Sequence, residues 1–184
     1  QAGLAKLNIL EKDFSKLNNP KHPKMLIMCE DTEVVRFVED FLVEIGLKSD
    51  EFMGVHSKKN GEIPKEEWAS LKQKLFNIDE YENPKVVISV LMLKEGFDVS
   101  NVCVIVPLRS NQSSILLEQT IGRGLRLMYR GVEFQDEKNE NRKRVLKDKL
   151  SPSSYLDVLS IIEHPAFTQF YTDLLSEDEF GFDE

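Results

Sequence analysis

KVVISVL, at residues 85–91, decides the fold class of this chain, because it is a continuous run rich in β-branched residues. NVCVIV at 101–106 is a second such run, and MLIMC at 25–29 is a third. Strands that are apolar on both faces are typical of a parallel sheet covered by helices. Working outward, EFMGV at 51–55 and residues 155–162 predict two further strands.

Helical patterns alternate with these strands. Residues 4–18 have apolar side chains at spacings of three or four, and a strongly amphipathic pattern starts near Thr32 and ends at Gly46, a typical C-terminal cap. Its apolar stripe runs from Val34 to Ile45 and includes Phe37 and Phe41. A further helix is predicted from Pro64 to about residue 78, with Trp68 and Leu75 on its buried side. Residues 136–149 are predicted to form a solvated helix or a mobile insertion, and residues 165–175 a terminal helix. The alternation predicts a doubly wound α/β fold, a mainly parallel sheet flanked by helices in three layers.

Composition bounds the class of protein. The chain has 184 residues, 41% hydrophobic and 30% charged, which suits one globular domain with its own core. No apolar run approaches the length of a membrane span, so we expect no membrane partner. The first residue is Gln1, and we interpret the chain as a fragment of a longer protein. Cys29 and Cys103 lie in apolar runs, which favours buried reduced thiols and a cytoplasmic location, and the scattered histidines predict no metal site.

The net charge of −8 is unevenly distributed. Residues 150–184 hold eight acidic side chains and no Lys or Arg, which leaves 24 of each sign in residues 1–149. Residues 119–149 hold nine basic and five acidic side chains. The chain therefore has a mildly basic stretch, suited to following a phosphate backbone, and an acidic C-terminal part.

The stretch QTIGRGLR at 119–126 carries the strongest functional pattern. On a helix that turns 100° per residue, Gln119, Arg123 and Arg126 form a stripe roughly 60° wide. Two guanidiniums and an amide on one face can bind a polyphosphate, although the spacing alone fits a solvated basic face equally well. Gly122 and Gly124 each cost roughly 1 kcal/mol relative to Ala in a helix, which makes sense where a backbone or a nucleotide comes close.

A second pattern is a strand that runs into a Gly-x-Asp turn, SVLMLKEGFDV at 89–99. Ligands of open α/β sheets bind outside the carboxyl ends of the strands, so Gly96 and Asp98 are candidates for nucleotide binding. Asp98 could hold a ribose hydroxyl, an attacking water or an arginine. As an alternative, Asp98 is an ordinary turn residue bonded to its own backbone.

These two segments resemble motifs V and VI of superfamily 2 helicases and translocases, and they follow one another at about twenty residues as in that family. The strings LLEQTIGRGLR and MLKEGFDV are most similar to the helicase (restriction) subunit of type III restriction enzymes. MLIMCE, at residues 25–30, is similar to motif IV. One position departs from the family: the residue six before Gly96 is Val90, where many members carry a threonine.

The resemblance implies a RecA-like C-terminal lobe at 23–176, preceded by a helical lead-in at 1–22 and followed by a frayed acidic tail at 177–184. In such motors this lobe supplies arginine fingers, here Arg123 and Arg126 with Gln119, to a nucleotide that also meets Gly96, Asp98 and Gly122. The loop with His56, Ser57 and Lys58 stands where these motors touch a phosphate backbone, although a solvated loop fits it as well.

ATP and Mg²⁺ are implied as ligands bound mainly by an N-terminal lobe, because the chain has neither a phosphate loop nor an Asp-Glu box. The implied partners are DNA, that lobe in cis and a modification methyltransferase subunit. The fragment is expected to be inactive alone, while the full protein hydrolyses ATP, moves on DNA and carries any endonuclease domain elsewhere. Two alternatives stay open: a RecA-like module that holds a partner without catalysis, and another superfamily 2 motor of the type I restriction, phage or repair classes.

Overall fold

The computed structural model describes residues 1–17, 20–55, 71, 73, 75, 78–90, 102–108, 128–129, 131–156 and 158–162. Its centre is a five-stranded sheet whose ladders are all parallel, with the strand order β2-β3-β1-β4-β5. The strands are β1 (Lys24–Cys29), β2 (Phe52–Val55), β3 (Val86–Ser89), β4 (Val102–Leu108) and β5 (Ser160–Ile161). The predicted α/β fold, a parallel sheet flanked by helices, is confirmed.

Both faces of the sheet are covered. One face packs against α1 (Ala2–Phe14) and α2 (Thr32–Glu44), and its core includes Leu7, Leu10 and Ile88. The other face holds a smaller core that includes Leu26, Leu75 and Ile105. Leu71, Gln73 and Leu75 are helical, as predicted for that region, while Trp68 lies outside the described residues. The middle strands are therefore buried on both sides, which is why their sequences are apolar throughout.

The ends of α2 follow the sequence signals. At its N-terminus the Asp31 side chain accepts hydrogen bonds from the backbone N–H groups of Glu33 and Val34, at 2.8 and 2.9 Å. This N-cap satisfies two donors that have no partner inside the helix. At its C-terminus Gly46 adopts a φ of 99°, the left-handed conformation that ends many helices.

Residues 136–149, predicted as a solvated helix or a mobile insertion, contain most of helix α3 (Gln135–Leu146). A short 3-10 turn, Val132–Phe134, precedes α3, and another spans Ile78–Glu80. Residues Cys29 and Cys103 are buried free thiols, as expected. The predicted terminal helix at 165–175 lies outside the described residues.

One prediction was wrong in part. The final strand, predicted over 155–162, is only the two residues of β5, because Tyr155 and Leu156 turn into the core beside α1 instead of pairing with β4. The predicted apolar stripe of α2 is only partly covered, since Phe37 is 80% exposed and Phe41 is also exposed. The stripe is wider than the surface that the sheet and the described part of α1 cover, so its outer edge remains at the surface.

Candidate functional site: the carboxyl edge of the sheet

One row of residues crosses four strands at the carboxyl edge of the sheet. Val55 of β2 pairs with Ser89 of β3, Ser89 pairs with Met28 of β1, and Met28 pairs with Pro107 of β4. Because the ladders are parallel, the chain leaves all four strands at this same edge. β1 sends its connection toward β2, whereas β4 leads toward β5 on the other side. The gap between β1 and β4 is therefore the switch point at which open α/β sheets bind ligands.

The candidate segments start at this edge. The chain leaves β2 just before His56, Ser57 and Lys58, and it leaves β3 seven residues before Gly96. It leaves β4 at Leu108, eleven residues before Gln119. The predicted site residues all lie outside the described residues: Gln119, Gly122, Arg123, Arg126, Gly96, Asp98, His56, Ser57 and Lys58. Their roles stay predictions, while the strands that precede them end together at one edge.

The described part of the edge carries acidic side chains, and its one thiol is not a nucleophile. Glu30 and Asp31 follow β1, and Asp31 is engaged as the N-cap of α2. The Cys29 thiol lies at the end of β1, where burial, with smaller contributions from the charges of Asp31 and Glu39, raises its pKa to about 12. A thiol with that pKa stays protonated near neutral pH, so Cys29 is a core residue and not a nucleophile.

No Lys or Arg stands at the edge among residues 28–33, 53–55, 88–90 and 106–108. Within the part of the chain that the structure describes, no group of three His, Cys, Asp or Glu side chains could hold a metal ion. A triphosphate at this edge would therefore depend on cations from the segments that leave the strands, of which 109–127 contains Arg109, Arg123 and Arg126.

An apolar groove of about 420 Å³ lies beside this edge, between the start of α1 and the outer side of α2. Its lining includes Leu4, Phe37, Phe41 and Leu108, and Gln1 is the only polar side chain among the described residues that line it. A triphosphate needs several hydrogen-bond donors, which this groove does not offer. The described lining of the groove therefore does not suit a triphosphate.

Three lysines occupy the opposite, amino edge of the sheet. Lys24 is fully buried, and its Nζ donates hydrogen bonds to the carbonyl oxygens of Tyr81 at 2.5 Å and Glu82 at 3.0 Å. Lys21 bonds the Asp79 carboxylate at 2.5 Å. Lys85 stands 3.3 to 3.8 Å from the carboxylates of Glu51, Glu82 and Glu11. No local sequence pattern predicts this cluster, whose hydrogen bonds and ion pairs join the amino ends of the strands to neighbouring segments.

Tyr129, three residues after Arg126, ties the later part of the chain to the amino edge. Its hydroxyl accepts a hydrogen bond from the backbone N–H of Lys21 at 2.9 Å, and its ring packs edge-on against Phe14 at 5.3 Å. Burial raises the pKa of this hydroxyl, while its bond from Lys21 opposes the shift. The Nζ of Lys138 in α3 donates to the Tyr129 carbonyl oxygen. Helix α3 is therefore anchored to the amino side through Tyr129, which follows Arg126 by three residues in the chain.

No family model and no curated protein matches the chain. Among solved structures, it is similar to the C-terminal domain of Dbp5 from S. cerevisiae bound to Gle1 and IP6, with 16% identity over 66% of this chain and 64% of that one, and a TM-score of 0.41. It is also similar to the C-terminal part of the Fun30 ATPase domain, with 14% identity over 69% of this chain and 37% of that one, and a TM-score of 0.46. The chain thus spans less than two thirds of either structure. Among the described helices, none has the length and apolar character that crossing a membrane requires.

Proposed function

We propose that this chain is the second, arginine-supplying lobe of an ATP-dependent superfamily 2 motor that acts on DNA. The observation that carries the proposal is the row Val55–Ser89–Met28–Pro107, because it brings to one edge the strands that lead into His56, Gly96 and Arg123. A shared edge is what a site assembled from three distant segments requires.

In this proposal ATP is the substrate, and a first lobe outside this chain binds it together with Mg²⁺. Closure of the two lobes brings the Arg123 guanidinium to the γ-phosphate, where its fixed charge and forked donors stabilise the charge that develops during transfer. Arg126 contacts phosphate or an acid of the first lobe, and Gln119 orients a water or Arg123 itself. An arginine finger contributes about 10³–10⁵ in rate in other phosphoryl-transfer systems.

The remaining candidates serve positioning. Gly96 and Gly122 let backbone come close to the nucleotide, and Asp98 holds a ribose hydroxyl, the attacking water or an arginine. His56, Ser57 and Lys58 contact the DNA backbone through donors suited to phosphate. Opening of the lobes after hydrolysis, and closing on the next ATP, moves the protein along DNA.

Kinetics of the full-length protein test the finger. Arg123→Ala should lower DNA-stimulated ATP turnover by about 10³-fold or more and leave the affinity for ATP nearly unchanged, because a finger acts mainly in the transition state. Arg36→Ala, an exposed arginine of α2, is the matched control and should turn over ATP at the rate of the wild type. Unchanged turnover in Arg123→Ala would reject the finger.

A finer assignment within the motors is the restriction subunit of a type III restriction–modification system. Its support is the likeness of LLEQTIGRGLR and MLKEGFDV to that subunit. A modification methyltransferase subunit would then recognise the DNA sequence for the motor. ATP turnover that requires both this subunit and its recognition site would support the assignment, and full turnover on any DNA without the subunit would favour another superfamily 2 motor.

A further inference from the structure

Helix α3 exposes a basic surface that the proposed motor site does not use. At 100° per residue, Arg142, Leu146, Lys143 and Lys147 fall within a sector of about 140° at the C-terminal end of the helix. All four side chains are exposed, and Lys147 follows the last helical residue. No described residue forms an ion pair with Arg142, Lys143 or Lys147. We call these three cations together with Lys149 the α3 basic surface.

The helix is held by its opposite side. Asn141 lies about 180° from the middle of the basic sector and is buried. Its Nδ2 donates to the carbonyl oxygen and the hydroxyl of Ser154, at 3.1 and 2.8 Å. Its Oδ1 accepts from the N–H and hydroxyl of Ser153, at 2.8 and 2.9 Å, and from the N–H of Ser154 at 3.2 Å. One buried amide thus fixes which way the cations of α3 face.

The turn that follows α3 adds a further exposed cation, Lys149. Lys149 adopts a φ of 55°, the left-handed conformation that glycine or asparagine adopts at lower cost. The turn is closed by hydrogen bonds from the N–H groups of Lys147 and Leu150 to the carbonyl oxygens of Lys143 and Arg144, both at 2.9 Å. This turn places Lys149 as a further exposed cation directly after the helix.

The helix dipole accounts for only part of this charge. Lys143 and Arg144 stand in the last turn, where cations stabilise any helix. Arg144 also donates from Nε to the Ser151 carbonyl oxygen at 3.2 Å, which is a structural role. Arg142 immediately precedes that last turn, and Lys147 and Lys149 lie past the helix. Residues 142–149 hold five basic side chains and one acidic side chain, Asp148, while Asp136 and Glu140 of the same helix stand nearer its N-terminus.

We propose that the α3 basic surface binds the phosphate backbone of nucleic acid. Long, unpaired cations around an exposed leucine, on a helix whose direction is fixed, can follow a row of phosphates without reading bases. The surface is separate from the carboxyl edge of the sheet, because α3 is anchored through Tyr129 and through Ser154 and Tyr155, beside Lys21 and Asp13 at the amino side. It therefore adds a second contact to nucleic acid, outside the cleft that would hold ATP.

The test measures binding of the full-length protein, without ATP, to a fluorescent DNA duplex and to the matching single strand over a range of salt concentrations. The variant Arg142→Gln/Lys147→Gln removes one arginine and one lysine from the α3 basic surface. Its control, Arg36→Gln/Lys48→Gln, removes the same charges from exposed positions elsewhere. The α3 variant should bind duplex more weakly, by on the order of tenfold per lost contact at about 0.1 M salt, with a salt slope shallower by about 1.8.

A third variant separates binding from folding. Lys149→Gly removes a cation and relieves the left-handed backbone, so affinity should fall on the order of tenfold while the thermal unfolding midpoint does not fall. A slope change near 0.7 per contact on the single strand, with no change on duplex, would assign the surface to single strands. Equal binding by the α3 variant and its control overturns the proposal. The assay contains no ATP, so its result does not depend on whether Arg123 acts as an arginine finger.

Discussion

The buried ammonium group of Lys24 is satisfied by backbone, because its Nζ donates to the carbonyl oxygen of Tyr81 at 2.5 Å. Tyr81 is 57 residues away in the chain, in the loop that leads into β3. Burial is the largest influence on Lys24 and lowers its pKa from 10.5 to about 8, against the opposing charges of Glu11 and Asp79. The amino edge of the sheet therefore carries a lysine whose charge the fold disfavours.

This lowered pKa predicts a rise in stability with pH. Between pH 8 and 10.5 the unfolded chain keeps a proton on Lys24 that the folded chain has released, so the free energy of unfolding increases with pH in that window. Relative to Lys24→Met, the wild type should gain about 3 kcal/mol across it. Urea denaturation at several pH values measures the difference, in which the titrations of Cys29, Lys85 and Tyr129 largely cancel.

The exposed Lys12 provides the control, since Lys12→Met should show a flat difference from the wild type over the same pH range. If the wild type loses stability relative to Lys24→Met as pH rises from 8, the buried ammonium is not the disfavoured form.

The sequence predicted the middle of the sheet well and its margins poorly. Strands β1, β3 and β4 are buried on both faces, so their apolar runs mark them without reference to the rest of the chain. The last strand depends on tertiary contacts: Tyr155 donates its N–H to the Asp13 carboxylate, 142 residues away, and only two residues pair with β4. No local pattern encodes such a contact.

The functional and structural residues of the chain also differ in how far the sequence predicts them. The glycines, Asp98 and the arginines are recognisable because their spacing resembles motifs, and the order of the strands places the preceding strand ends at one edge. The roles of Lys24 and Asn141 could not be predicted, because a lysine at a strand end and an asparagine in a charged helix ordinarily face solvent. Their burial comes from backbone and hydroxyl groups that other segments bring to them.

Two adjacent residues of α1 should differ sharply in their effect on stability. Leu10 is 0% exposed in the core between α1 and the sheet, whereas its neighbour Ile9 is 49% exposed. Leu10→Ala should lower the free energy of unfolding by about 2–5 kcal/mol, because it removes buried methyl groups and leaves a cavity. Ile9→Ala should change it by about 0.5 kcal/mol or less. Similar losses in the two variants, measured by urea denaturation, would contradict the packing of α1 on the sheet.

Gly3 and Gly131 both have neighbouring atoms so close that an added Cβ would collide with them, but the neighbours differ in how easily they can move. A Cβ on Gly3 would lie 2.7 Å from Val106 Cγ2 and 2.8 Å from Met25 Sδ, which are side-chain atoms of strands β4 and β1. Gly3→Ala should destabilise by about 1–2 kcal/mol, because overpacking outweighs the gain in helix propensity. At Gly131 the three atoms nearest to the Cβ all belong to the carboxylate of Glu133, which can rotate away, so Gly131→Ala should be nearly neutral. Thermal unfolding compares the two, and a stabilising Gly3→Ala would show that α1 has room to move.

Asn141 should hold α3 far more firmly than Asn139 does, although the two asparagines are only two residues apart. Asn141→Ala deprives the N–H groups of Ser153 and Ser154 of their acceptor, which should cost about 2–3 kcal/mol in the free energy of unfolding. Asn139 is exposed and accepts only a 3.2 Å bond from Gln135, so Asn139→Ala should cost about 0.5 kcal/mol or less. Hydrogen exchange adds a local measurement. In Asn141→Ala the amides of α3 should lose protection, whereas the protection of the amides of β1 and β3 should change only as much as the global stability does. Unchanged protection of α3 in Asn141→Ala would mean that something other than this amide fixes the direction of the helix.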